Sequence, residues 1–372
     1  MAPYTTRQHI YSGEMEFAQN VPLGPLTTLG VGGPSRWYGE IRSESELRQA
    51  LSWADECRIT TLILGGGSNV VISDRGWDGL TLHIAIPGID RHTENGREIF
   101  RVGAGESWDT FVAETVRADC AGVECLSGIP GTVGGTPGQN VGAYGQDVSE
   151  TIVTVRAYRR ETGEFEEFTN EECGFHYRTS RFNTTDRDQY IITSVTFALK
   201  SGVAPKIEYA DLRKYFAARS ESPTLQETRD AVREIRRSKA MLIADDDEDS
   251  RSAGSFFRNP VVDMATYQQI ANQVESKGLV PPSYPAGEGK VKIPAAWLVE
   301  QSGIQKGFTL GRVGISRKHA LAIINRGQAT AAEVIALKER VQQQVRDAFG
   351  VELHPEPILI GFPTSSSANS GF

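Results

Sequence analysis

Residues 128–145 read GIPGTVGGTPGQNVGAYG, with seven glycines and two prolines in eighteen positions. Neither a helix nor a strand tolerates that density. An interior glycine costs about 0.5–1 kcal/mol relative to alanine, and a proline removes a backbone donor. Yet Ile129, Val133 and Val141 are interleaved with the glycines, where a disordered linker would carry serine or charge. The stretch therefore reads as an ordered loop whose backbone lies close against something flat.

A second cluster, GGGSN at 65–69, offers consecutive N–H groups with no Cβ in front of them. Such a nest suits a phosphate or pyrophosphate, although a tight hairpin uses the same composition. It joins two strand-like runs, ITTLIL (59–64) and VVIS (70–73), whereas the phosphate loop of nucleoside triphosphatases leads into a helix. In the longer stretch, Gln139 and Asn140 could hydrogen-bond an isoalloxazine edge or a phosphate.

The chain has 372 residues, enough for about two to three domains. Its net charge of −8, with no basic block, argues against a nucleic-acid partner. No apolar run has the length of a membrane span, and the first thirty residues hold no signal-type segment. Cys57, Cys120, Cys125 and Cys173 match no zinc or CxxC spacing, and the histidines form no ligand-spaced cluster. They read as reduced thiols in a protein with no structural metal.

Periodicity and caps predict a helix and then a strand over 43–64, the helix opening on a Ser43–Glu46 capping box, and a helix at 107–122, closing on Gly122. A hairpin is expected over 151–168 with ETG as its turn, then a strand at 189–199. Thr224 and Glu227 open a helix to about 239, and a domain boundary is placed near 240. The five acids at 245–249 read as an exposed, solvated linker. Beyond it come a strand-like GSFF, helices near 263–276 and 294–303, and a strand at 320–327. Thr330 and Glu333 cap a helix whose Val334, Leu337, Val341, Val345 and Phe349 share one face, with Gly350 at its C-terminal turn. A last strand is expected within 353–362, and the final ten residues read as frayed.

In chain order, LILGGGSNVV, VGAGESW, GIPGTVGGTPGQNVGAYGQD, YRTSRF, AGSFFRNPVV, GKVKIPAAWLVEQSG and HPEPILIG resemble the motifs of the UDP-N-acetylenolpyruvoylglucosamine reductase family, from Leu23 to Gly361. The resemblance implies an α+β protein. Its fold would be a vanillyl-alcohol-oxidase-type (PCMH-type) two-subdomain FAD-binding fold plus a C-terminal α+β substrate-binding domain. The corresponding divisions here are 1–88, 89–240 and 241–350, with 351–372 packing back near the active site. It also implies NADPH as hydride source and FAD held non-covalently, no histidine lying in a glycine-rich motif. The substrate would be UDP-N-acetylglucosamine enolpyruvate, reduced to UDP-N-acetylmuramate in the bacterial cytoplasm, with no obligate protein partner.

Carried over residue by residue, the family's FAD contacts fall on Gly65, Gly66, Gly67, Ser68 and Asn69, and on Gly128, Ile129, Pro130, Gly131, Thr132, Gly134, Gly135, Gln139, Asn140, Gly142, Ala143 and Tyr144. The catalytic set falls on Ser255, Arg178 and Glu356. Ser255 would deliver the proton, tolerable for so weak an acid because the acceptor is a carbanion equivalent. Arg178 would bind the substrate carboxylate with its guanidinium fork. Glu356 helps only if protonated or orienting a cation, so burial is expected to raise its pKa. Tyr209 matches the loop tyrosine of the type I subgroup, and Lys239, Asn259, Tyr284, Lys290 and Gln301 match substrate-contact positions. Gly135 and Gly138 depart from the family pattern, which has alanine and an apolar residue there. Another flavin oxidoreductase of this fold, acting on a small alcohol or hydroxy acid, and a non-catalytic flavin or nucleotide-sugar binder remain as alternatives.

Overall fold

Alternation of buried and exposed side chains along Pro34–Ile41 marks a strand that buries one face, and it lies in the middle of a five-stranded sheet. The structure, a computed structural model, describes residues 9–12 and 15–363. The sheet order is His9–Ser12, Met15–Pro22, Pro34–Ile41, Trp77–Ile84 and Thr61–Leu64, the last two parallel. The helix Glu44–Glu56 packs on this sheet through Leu47, Ala50, Leu51 and Ala54, against Phe17, Trp37, Leu80 and Leu82. Ser43 caps it by accepting the Glu46 N–H at 3.1 Å, while the Glu46 carboxylate accepts from Arg42 N rather than closing a reciprocal box.

A second, antiparallel sheet runs Phe165–Thr169, Ile152–Arg159, Tyr190–Ser201, Arg97–Gly103 and Ile89–Glu94, with Cys120–Ala121 pairing the end of its longest strand. Its core is aromatic. Trp108 and Phe111, from the helix Trp108–Arg117, stack against Phe197 and Phe100, with 4.9 Å between the Phe111 and Phe197 centroids. The helix was expected to run to Gly122. It stops at Arg117 because Asp119 turns left-handed (φ 55°) and Cys120–Ala121 are drawn into the sheet. The helix Leu225–Ser238 begins at the predicted Thr224–Glu227 box, with Thr224 N–H donating to Glu227 at 2.8 Å and Glu227 N–H to Thr224 Oγ1 at 3.1 Å.

These elements belong to one compact unit, which comprises the described chain up to Val21, Ser35–Gly67 and Asp78–Ser238. The other comprises Pro22–Pro34, Ser68–Trp77 and the chain from Lys239. A single cut near 240 would leave the two short stretches in the N-terminal piece. They go with the C-terminal unit because Val70–Ile72 pairs in parallel with Ile358–Ile360, Ser73 N–H donates to Ile360 O, and Gly33 N–H donates to Ser73 O. A Cβ at Gly33 would lie 2.1 Å from Asp74 O, so that junction requires glycine.

The core of the C-terminal unit is built by Phe256, Phe257, Ile270, Leu298, Val299 and the buried face of the helix Ala331–Phe349. Thr330 and Glu333 form the expected capping box, and Gly350 takes φ 68° past the last turn. Two small sheets flank this core: Val261–Asp263, Lys290–Lys292 and Tyr284–Pro285, and Thr309–Leu310, Val313–Ile315 and Ile323–Asn325. GSFF is not a strand: only Phe257 makes an isolated bridge, to Pro355. The last strand shrinks to Ile358–Ile360. The frayed tail expected at the C-terminus lies, from residue 364, outside the described residues. Among the described residues no helix is long and apolar enough to cross a membrane.

The acidic run is only partly solvated: Asp245, Asp246 and Glu248 are exposed as expected, but Asp247 and Asp249 are buried. Asp249 is 2% exposed and accepts from Ser316 Oγ at 3.0 Å, Arg317 N–H at 2.8 Å and the Arg317 guanidinium at 3.2 Å. Asp247, also buried, accepts from Lys318 Nζ at 2.7 Å. Burial pushes the Asp249 carboxyl up, but the Arg317 and Ser316 donors outweigh it and hold its pKa below the ordinary value. Asp249→Ala should therefore cost about 1–3 kcal/mol in urea unfolding at neutral pH, since it strands the buried Ser316 hydroxyl and the part-buried Arg317 N–H. An effect within about 0.5 kcal/mol would return the segment to a surface loop. Because the folded pKa is depressed, this contribution is present above the unfolded pKa and lost as pH falls through the folded one.

Candidate functional site

The two glycine clusters meet backbone to backbone. A Cβ at Gly66 would lie 2.5 Å from Gly131 Cα, and one at Gly65 would lie 3.1 Å from Thr132 Oγ1. Gly67, Gly128 and Gly131 take φ of 60°, 71° and 119°, which L side chains rarely adopt. Among the described residues, the N–H groups of Gly65, Gly66 and Gly67 have no protein acceptor, nor do those of Ile129, Gly131 and Thr132. Paired turns with spare donors and no Cβ form a cradle for phosphate oxygens. The family departures fit this surface without strain. A Cβ at Gly135 would meet nothing within 4 Å, and one at Gly138 would have Gly135 O nearest, at 3.7 Å.

Sequence reasoning located the helix Leu225–Ser238 but missed its role at this cradle. Arg229, Arg233 and Arg236 recur at helical spacing along Leu225–Ser238, a pattern visible in the sequence, and converge on Gly128. Asp109 accepts the Gly128 N–H at 2.6 Å and both Arg229 nitrogens, at 2.7 and 3.0 Å, and it also pairs with Arg233. Arg236 Nε donates to Gly128 O at 3.1 Å, so both peptide groups of Gly128 are held. Burial pushes the Asp109 carboxyl up, but Arg229 and the Gly128 N–H outweigh it and keep it below its usual value. Burial lowers the Arg236 pKa, with Asp109 and Tyr144 opposing. Three guanidinium groups facing one carboxylate leave a local positive excess that a bound diphosphate would neutralise.

The second half of the long stretch carries the turn that bears Arg178. Arg178 Nη1 donates to Gly142 O at 3.0 Å, and its Cζ lies 5.7 Å from the Tyr177 ring centroid. Asp147 pairs with Gly142 across the short hairpin, and burial raises its pKa while Arg178 pulls it back. Tyr144 is nearly buried and stands edge-on to Tyr209, at 5.4 Å and 83°, so the loop tyrosine is brought to the glycine stretch. Asn140, expected as a cofactor contact, has its side chain held within the protein. Its side chain lies in a residue 5% exposed and is spent on Ser149 N–H and His176 O.

In the C-terminal unit, the two phenylalanines answer what surrounds Ser255. Both rings are buried in the core, 5.5 Å apart, and they anchor the segment from which Ser255 projects half-buried. Phe256 N–H donates to Leu321 O at 2.8 Å, and Glu356 N–H donates to Phe256 O at 2.9 Å. Ser255 and Glu356 thus lie on adjacent segments. Asn69 holds the Glu356 segment: its carbonyl accepts from Ile358 N–H at 3.0 Å, and its Nδ2 donates to Glu356 O at 3.4 Å.

The remaining substrate candidates are more dispersed. His319, which faces Lys239 and Lys306, has its pKa lowered to about 4 by burial and those cations, and its Nδ1 accepts the Leu321 N–H. Asn259 turns its side-chain oxygen onto Ala295 N–H at 2.9 Å, capping the helix Ala295–Gln301, so that oxygen serves packing rather than a ligand. Tyr284 and Lys290 sit exposed on neighbouring strands, and Gln301 ends the capped helix.

A family model described as UDP-N-acetylenolpyruvoylglucosamine reductase, C-terminal domain, matches residues 246–360, and one described as FAD binding domain matches residues 38–169. The UDP-N-acetylenolpyruvoylglucosamine reductase of Thermobifida fusca is 44% identical over 352 residues, covering 93% of this chain and 98% of the relative. That of Streptomyces coelicolor is 41% identical over 92% of this chain and 90% of its own. The crystal structure of the reductase from Thermus caldophilus superposes with a TM-score of 0.62 at 25% identity, covering 92% of this chain and 98% of that one. The cradle, its spare N–H donors and its arginine helix fit the diphosphate of an FAD.

Gly66→Ala should yield a folded protein that purifies largely without flavin, because the added Cβ has no room against Gly131. The ratio of flavin absorbance to protein absorbance measures this, and wild-type occupancy would disprove the contact.

Proposed function

The chain belongs to the UDP-N-acetylenolpyruvoylglucosamine reductase family, and from that premise we propose how its own residues divide the work. The protein is an FAD-containing oxidoreductase, a UDP-N-acetylmuramate dehydrogenase, that uses NADPH to reduce UDP-N-acetylglucosamine enolpyruvate in peptidoglycan precursor synthesis. FAD, when bound, supplies the hydride chemistry, taking hydride from NADPH and passing it to the vinyl carbon of the substrate.

The glycine cradle and the arginines around Gly128 hold the cofactor diphosphate. Arg178 binds the substrate carboxylate with two parallel hydrogen bonds and stabilises the enolate-like charge that develops on it. Ser255 delivers a proton to the adjacent carbon, and the buried phenylalanines beside it keep its segment rigid and dry. Glu356 acts from the neighbouring segment as a protonated donor or by orienting a cation. The reading of Ser255 and Glu356 as partners is supported above all by the Glu356 N–H to Phe256 O bond of 2.9 Å, a backbone contact between their two segments. Tyr209, Lys239, Tyr284, Lys290 and Gln301 contact the nucleotide sugar. A three-part division at about 88 and 240, with Pro22–Pro34 and Ser68–Trp77 going to the C-terminal part, action in the cytoplasm and independence of an obligate protein partner complete the proposal.

An anaerobic titration tests the reaction. NADPH should bleach the flavin absorbance of the yellow protein, and UDP-N-acetylglucosamine enolpyruvate should restore it in stoichiometric amount. Reduced flavin that is indifferent to that compound would overturn the assignment. Ser255→Ala should leave flavin reduction by NADPH intact while turnover falls by roughly 10²–10⁴-fold, the usual worth of a placed general acid. Equal loss in both half-reactions would remove Ser255 from the proton step.

A further inference from the structure

Resting on the reading that Arg178 binds the substrate carboxylate, we propose that Asn140 is a positioning residue that sets Arg178 in place. Arg178 is held at φ 58°, in the left-handed region that side-chain-bearing residues disfavour. Something must hold the turn there, and the hydrogen bonds that do so come from the glycine-rich stretch. Asn140 Nδ2 donates to His176 O at 3.1 Å, Ser180 Oγ donates to Gly138 O at 2.8 Å, and Arg178 Nη1 donates to Gly142 O at 3.0 Å. Within the turn, His176 and Thr179 exchange backbone hydrogen bonds, and Asn183 Nδ2 closes on Arg178 O at 3.1 Å.

The three ties differ in what they demand of the sequence. Those from Gly138 and Gly142 use backbone carbonyls, which any residue supplies. The tie from residue 140 uses a side chain, and one of a particular kind. Asn140 Oδ1 accepts the Ser149 N–H at 3.1 Å while Nδ2 faces a carbonyl, so the position needs an acceptor and a donor on one short planar group. Aspartate matches the shape but would set an oxygen against His176 O. Asn140 also lies at φ 44°, a conformation asparagine tolerates better than most residues. Buried and fully engaged in this way, its amide connects the loop that lines the cofactor to the turn that meets the substrate. The two therefore move as one hydrogen-bonded body, and Arg178 keeps its register only while Asn140 spans the gap.

The holoenzyme variants N140D, R178K and N140D/R178K test this, with flavin content, the rate of flavin reduction by NADPH, and the concentration dependence of reoxidation by UDP-N-acetylglucosamine enolpyruvate as readouts. N140D should retain its flavin and show an apparent substrate affinity weakened by about tenfold, the scale of one lost hydrogen bond. In the double variant that loss should not add to the loss from R178K, because both act through one guanidinium. Loss of flavin from N140D would make Asn140 a cofactor contact, and additive losses would make the brace merely structural; either overturns the proposal. If R178K reoxidises like the wild type, the carboxylate reading fails and this inference falls with it, whereas an impaired R178K beside an unimpaired N140D sinks the inference alone. Should N140D not fold, N140S, whose hydroxyl can still donate, must show the same pattern in weaker form.

Discussion

At Gly66 and Gly131 two stretches of backbone approach so closely that a single added Cβ would sit 2.5 Å from the opposite Cα. The neighbouring chemistry depends on that contact. It makes one surface out of two loops far apart in sequence, and among the described residues it leaves N–H groups of both loops without a protein acceptor. Such a surface favours an anion, and side chains would only obstruct it. The glycine richness of the chain is thus a steric condition concentrated at a few positions. Gly135, where a Cβ meets open space, and Gly138, where it makes only an ordinary contact, lie outside that condition.

Around this surface the protein gathers charge and then limits it. The helix Leu225–Ser238 brings Arg229, Arg233 and Arg236 to Gly128, and Asp109 ties two of them to the Gly128 N–H. A lone carboxylate with that many donors is held ionised although burial opposes it. The positive excess left over is what an FAD diphosphate would meet. The other end of the stretch does mechanical work, because Gly138, Asn140 and Gly142 together hold a left-handed Arg178. Strain of that kind persists only where the surroundings over-determine it.

The C-terminal unit shows how local reading misjudges charge. Five consecutive acids look self-repelling, and from composition alone a solvated linker is the sound expectation. Asp247 and Asp249 are buried nonetheless, because Ser316, Arg317 and Lys318 supply their donors from almost seventy positions away. GSFF misled for a related reason. Its phenylalanines have strand propensity, but they are spent on anchoring a segment between Leu321 and Glu356, and no ladder forms.

Much of the protein was legible in the chain itself. Caps, periodicity and turn residues locate the helices Leu225–Ser238 and Ala331–Phe349 to within a residue or two, because those signals act between near neighbours. The ordered motifs likewise identify the family, since each demands particular residue types at particular spacings. Tertiary structure alone decided which of those polar side chains are spent on internal contacts and which strands find each other. Nothing local distinguishes Asn140 from Gln139, or tells that Asn259 caps a helix and that Val70–Ile72 finds its partner at Ile358–Ile360. Those outcomes depend on donors and acceptors brought together by long-range packing, and a buried polar group takes its role from whichever partner arrives.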